Sequence, residues 1–201
     1  MNKYIEYVLD FWFGDIRDGL IVENRNDFWF MPNSQIDNTI REEFEELVVK
    51  AGKGKLIHWE QSAKGTLALI ILLDQFTRNI YRGKREAFQF DAEALRICKA
   101  GIQRGHDREL EVIEKCFYYL PLEHSENLEE QDKCVKLFED LLVTVDSNKV
   151  SIVKNSLDYA VLHRNIIEKF GRFPHRNEVL NRKSTNEELV FLSKQGNKFG
   201  Q

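Results

Sequence analysis

Cysteine, proline and long apolar runs are scarce in this sequence, and each scarcity removes a class of protein. Its 201 residues include three cysteines, Cys98, Cys116 and Cys134, an odd number with no Cys-x-x-Cys spacing. A disulfide scaffold, a zinc ribbon and a redox dithiol are therefore not expected, and the thiols read as separate buried side chains. The longest purely apolar stretch, "LALIILL" at 67–73, has seven residues, against the roughly 20 that span a bilayer. Residues 1–13 carry Glu6 and Asp10 where a signal peptide has its apolar centre, so the expected compartment is the cytoplasm. Excess positive charge is missing too. A net charge of −4 disfavours nucleic acid and membrane as partners, because both reward a basic surface.

With only Pro32, Pro121 and Pro174 to interrupt it, the chain shows long stretches with a period near 3.6. In 34–51, Ile36, Ile40, Phe44, Leu47, Val48 and Ala51 share one face, which predicts an amphipathic helix capped by Asn33 or Ser34. Residues 62–76 are apolar nearly all round and predict a central helix. Further helices are expected over 86–104, closed by Gly105, and over 107–119, stopped by Pro121. Ser125 is expected to cap 126–143, and 151–170 to end on Gly171. Ser184 with Glu187 and Thr185 with Glu188 offer two overlapping capping boxes. No strand pattern with turn chemistry stands out. The expected fold is all-α, a single domain over 1–201 of antiparallel helix pairs.

Three polar segments lie at predicted helix ends. The first, "LLDQFTRNIYRGKREAF" (72–88), presents Asp74, Gln75, Arg78, Asn79 and Arg82 straight after the most apolar helix. Arginine carries a rigid fork of donors suited to carboxylate or phosphate. The bland alternative is an Asp74–Arg78 pair closing a helix end. The second, "FYYLPLEHSENLEEQD" (117–132), offers Glu123 and His124 as a base with its orienter, or as one metal ligand each; Glu126 reads as ordinary first-turn helix chemistry. The third, "FGRFPHRNEVLNR" (170–182), brings Arg172, His175, Arg176, Asn177 and Arg182, and follows His163 on an apolar stripe.

No local metal pair such as His-x-x-x-His exists, leaving only a dispersed set of Asp74, Glu123, His124 and His163. No cofactor is expected. Gly-x-Ser-x-Gly and phosphate-loop patterns are absent, and "AGKGK" at 51–55 reads as a helix-stop loop. Phe11, Trp12, Trp29 and Phe30 read as packing, with Trp12 or Trp29 available to a pocket wall.

The segments "VLDFWFG" (8–14), "LLDQFTRNIYRG" (72–83), "FYYLPLEHSE" (117–126) and "FGRFPHRN" (170–177), with the trailing "STNEE" (184–188), occur in an order that resembles the bacterial family called domain of unknown function 924. The resemblance spans about residues 5–195. It implies an all-helical fold similar to tetratricopeptide-repeat proteins, stacked as a right-handed array, and it brings no established activity. The chain departs from the family pattern at Thr77, where proline is usual, and at Asn181, where glycine is usual. The first change is expected to loosen the loop presenting Arg78, and the second to be mild, since Asn tolerates positive φ.

Two functional readings follow. In one, the arginine-rich segments meet in a pocket for a small anion, a phosphate or carboxylate, with Glu123, His124, His163 or His175 transferring protons in a hydrolysis or an isomerisation. In the other, the chain is a helical scaffold binding an acidic peptide, its arginines and histidines bracing helix ends. Convergence of the three segments on one cavity separates the two.

Overall fold

A computed structural model describes residues 2–194. These residues form an all-α fold, its regular elements helical except for one small hairpin. Helix α1 (Lys3–Phe13) is capped by Asn2 and buries Val8, Trp12 and Phe13. A two-stranded antiparallel hairpin follows, β1 (Ile16–Arg17) and β2 (Leu20–Ile21). It was not expected, although its turn residues Asp18 and Gly19 both take positive φ, as the tight hairpin turn that favours Asp-Gly requires. Short α2 (Asn26–Phe30) then leads to α3 (Ser34–Gly52), where Asn33 Oδ1 accepts from the amides of Gln35 and Ile36.

The predicted central helix is present but not uniform. Helix α4 (Ala63–Ile70) passes without a break into a π-helical segment, Ile71–Phe76, and then into α5 (Thr77–Ile80). A π turn offsets the side chains that follow it from the α register and is often found at functional sites. Here it carries Asp74 and Gln75, both buried. Thr77 lies inside this helix rather than in a loop, so the expected loosening does not occur. Its Oγ1 donates to the Leu73 carbonyl at 2.9 Å.

Several boundaries move. Helix α6 is Asp91–Arg104, preceded by a 3₁₀ turn at Arg85–Phe88. Another 3₁₀ turn, His106–Glu109, precedes α7 (Val112–Tyr118), which is capped by a Glu111–Glu114 box. Helix α7 ends at Tyr118, shortly before Pro121 as expected, and Pro121 itself sits in the first turn of α8 (Leu120–Glu123), where a missing N–H costs nothing. Asn127, not Ser125, caps α9 (Leu128–Leu142) through Glu129 and Glu130. Helix α10 (Val150–Phe170) packs along α9 and ends on Gly171 at φ 66°. A 3₁₀ turn at Pro174–Arg176 and helix α11 (Asn186–Leu192) complete the described chain. The Thr185–Glu188 capping register is the one adopted, and Asn181 takes φ 54°.

One continuous apolar core runs from Trp12 and Phe44 through Leu67–Leu73 and Phe76 to Phe138 and Ala160. Phe173 packs with Ile166 and Ile167 in a smaller cluster. All three cysteines are buried and unbridged. Phe30 departs from its expected packing role, being 59% exposed. Among the described residues no helix is long and apolar enough to cross a membrane.

Candidate functional site

The helix ends at the π segment, α8 and the 174–176 turn surround a cavity of about 700 Å³, a size usual for small-molecule sites. Gln75, Arg78, Asn79 and Arg82 reach it from the first polar segment, Glu123 and His124 from the second, His175 and Arg176 from the third, and His163 from α10 just before it. Asp74 lies behind the wall, fully buried. Arg172, Asn177 and Arg182 are not part of the lining.

Those last three are engaged elsewhere. Arg172 meets Glu188 through Nε and Nη2 at 2.6 and 2.8 Å. Asn177 Nδ2 donates to Ser184 Oγ. Arg182 grips both oxygens of Glu126 at 2.6 and 2.9 Å, and Glu126 also accepts from the amide of Phe173. Glu126 is thus the clamp that fixes the 173–182 segment rather than first-turn helix chemistry. Burial opposes its charge, but Arg182 and that amide hold its carboxyl below the usual range.

Within the wall, two of the three histidines, His124 and His163, meet a carboxylate, and the pairing is not the one the adjacent Glu123 and His124 suggest. His124 Nδ1 lies 2.8 Å from Asp74 Oδ1, and His163 Nδ1 lies 2.8 Å from Glu123 Oε1. Burial opposes ionisation of Asp74, yet Arg78, His124 and Gln75 outweigh it and hold the carboxyl far below its ordinary value. An ionised Asp74 makes Nδ1 the protonated nitrogen of His124, which turns Nε2, across the ring, toward the cavity that His124 lines. Burial pushes the His124 pKa down, so the imidazole is neutral at pH 7 and suited to act as a base. Among the described residues no three His, Cys, Asp or Glu side chains are arranged to hold a metal.

The arginines differ in how fully they are matched. Arg78 donates to Asp91 through Nη1 and Nη2 at 3.0 and 3.1 Å, and to the Asp74 carbonyl at 2.6 Å. Arg82 meets Asp37 through Nε and Nη2, and Asn79 donates to the same carboxylate. Arg176 is 6% exposed and reaches Asp91 by a single 3.4 Å contact; its Nε has no hydrogen-bond partner. Its guanidinium lies over the rings of Phe173 and Phe88, 4.4 and 4.8 Å from their centroids. Burial, then the neighbouring Arg78, push its pKa down to about 10, which leaves it charged and under-compensated at neutral pH. Arg176, His124 and Phe88 also line a second hollow of about 690 Å³.

Sequence reasoning missed Phe88, Cys116 and the α10 residues Ser156 and Tyr159, all of which line the cavity. The last two lie seven and four residues before His163, a helical spacing that could have flagged them. Burial raises the Cys116 thiol to about 11, so it stays protonated and is no nucleophile at neutral pH.

His175 supplies a pH prediction. Burial, then Arg176, push its pKa down to about 2, whereas an unfolded histidine titrates near 6.5. Between those values the unfolded chain takes up a proton that the folded chain refuses. Stability present above pH 6.5 is therefore lost as pH falls, by at most about 1.4 kcal/mol per pH unit. Urea unfolding of His175→Gln is expected to lose less stability than wild type between pH 6 and 4. Parallel pH profiles would contradict this.

The fold and wall chemistry together define a class, an all-helical protein with arginines and carboxylate-oriented histidines gathered at one cavity. The sequence model of the family described as "Bacterial protein of unknown function (DUF924)" matches residues 8–196, and the chain belongs to that family. It is also similar to the solved structure of a protein of unknown function, ATU0120 from Agrobacterium tumefaciens. The two share 32% identity over 94% of this chain and 97% of that one, with a TM-score of 0.80. A search of curated proteins gave no match.

Proposed function

We propose that this cavity binds a small anionic molecule, a phosphate or carboxylate, and hydrolyses it. The observation that carries the reading is Arg176, a buried guanidinium with one long contact at the cavity wall. A bound oxyanion supplies the missing charge and acceptors. The distribution of charge supports this too. Asp74, Asp91 and Asp37 lie outside the lining, and Glu123 is the one carboxylate residue among the described residues lining the cavity. Neutral His124 takes the role of general base toward water, with Asp74 fixing its orientation.

Arg82, Arg172 and Arg182 fit the bracing role instead, since each already meets a carboxylate through two nitrogens. If Arg176 is also only a brace, the chain is a scaffold whose helix pairs, α9 with α10 first among them, stack in the tetratricopeptide manner. Three buried free thiols suit a reducing compartment such as the cytoplasm.

Thermal-shift screening against phosphate esters and dicarboxylates separates these readings. A ligand at about 100 times its Kd is expected to raise Tm by roughly 5 °C or more, and Arg176→Ala to abolish the shift. Arg176→Lys serves if the alanine variant fails to fold. A shift equal in both variants and wild type overturns Arg176 as an anion contact. For a substrate found this way, His124→Gln is expected to slow turnover by about 100-fold or more.

A further inference from the structure

The cavity is not uniformly polar. Its arginines and histidines come from the chain after the π segment, the end of α8, the far end of α10 and the 174–176 turn, whereas α2 and α7 contribute Trp29, Phe30, Ile113, Cys116 and Phe117, with Asn26 their one polar side chain. Helix α10 packs on both α7 and α8 and lines the cavity from Ile152 to His163. The eleven helical steps from Ile152 to His163 make that wall about 16 Å long. We infer that the ligand is an amphipathic anion, with a carboxylate or phosphate head against Arg176 and His124 and an acyl or aryl tail against Trp29, Phe30 and Phe117.

The inference rests on the anion reading and adds the tail. Its support is the chemistry of the far wall. Trp29 spends its only polar atom on the Trp12 carbonyl at 2.9 Å, so it presents ring alone. Phe30 is 59% exposed, yet its ring is parallel within 6° to that of Phe117, with centroids 6.2 Å apart. An exposed phenyl lining a cavity is apolar surface that a tail removes from water. The uncharged Cys116 thiol continues the same wall. A small polar anion such as inorganic phosphate would leave this half of the cavity filled with water against aromatic rings.

Calorimetric titration with methylphosphonate and hexylphosphonate tests the tail, with acetate and hexanoate as the carboxylate arm; none of these has an ester bond to hydrolyse. Each buried methylene is worth roughly fourfold in affinity, so three buried ones predict hexylphosphonate about 60-fold tighter than methylphosphonate. Phe30→Ala, at an exposed position, is expected to cut that ratio at least threefold. A hexyl-to-methyl ratio below about three, with methylphosphonate still bound, overturns the tail and leaves the anion reading standing. Hexanol binding as tightly as hexylphosphonate overturns both. So does a failure of every probe to bind.

Discussion

Asp74→Ala is expected to lower unfolding free energy by about 3–5 kcal/mol, the usual cost of removing one partner from a buried ion pair. Asp74 is completely enclosed and serves three side chains together. Arg78 Nη1 lies 3.3 Å from it, His124 Nδ1 lies 2.8 Å away, and Gln75 donates to its second oxygen. Alanine removes the carboxylate that Gln75 and His124 Nδ1 meet, and leaves Arg78 with Asp91 and the residue-74 carbonyl, which keeps the loss from being larger. Asp74→Asn retains shape but not charge and should fall between wild type and alanine. Because the folded pKa of Asp74 is depressed, its contribution is fully present above the unfolded value near 3.9 and is lost as pH falls below it. Urea unfolding at pH 7 with an unchanged m-value measures the loss, and a change under 1 kcal/mol would contradict the pairing.

The second large effect lies away from the cavity. Gly101, on α6, faces Tyr118 so closely that a Cβ built on it would stand 1.8 Å from the phenol oxygen and 3.1 Å from ring Cζ. Gly101→Ala therefore forces Tyr118 or the helix to move, and a loss of about 3 kcal/mol, at the upper end of ordinary overpacking, is expected. The Tyr118 hydroxyl is buried and has no hydrogen-bond partner. Tyr118→Phe alone should accordingly be neutral or slightly stabilising, since it deletes an unsatisfied group. The double variant is expected to recover most of the Gly101→Ala loss, because the offending atom is gone. Strict additivity in the double-mutant cycle would show that the hydroxyl is not the obstacle.

What the sequence disclosed follows the range of the interactions involved. Helix α3 with its Asn33 cap, the end of α10 at Gly171 and the Thr185–Glu188 box depend on neighbours a few residues away, and periodicity with capping chemistry located them. The hairpin at 16–21 carried its Asp-Gly signal, but two-residue strands leave no alternation to see. Ser125 reads as the cap of α9 in the sequence, but its Oγ accepts from the amide of Asn127, and Asn127 caps the helix. The three polar segments were visible as excesses of arginine, histidine and asparagine. Their division was not. His124 finds Asp74 fifty residues away, and Arg182 finds Glu126 across fifty-six, so only the tertiary fold separates cavity residues from clamps. The π segment is likewise invisible to a 3.6-residue period, which reads straight through it.

Calorimetric titration of methylphosphonate into wild-type protein and Arg176→Met, side by side at pH 7, tests the anion cavity most directly. Methionine keeps an apolar stem between Phe88 and Phe173 while deleting the guanidinium that reaches Asp91. Binding to wild type that weakens at least tenfold in Arg176→Met is the expected result. Equal affinity in the two proteins, or a wild type that binds neither methylphosphonate nor hexylphosphonate, would contradict it.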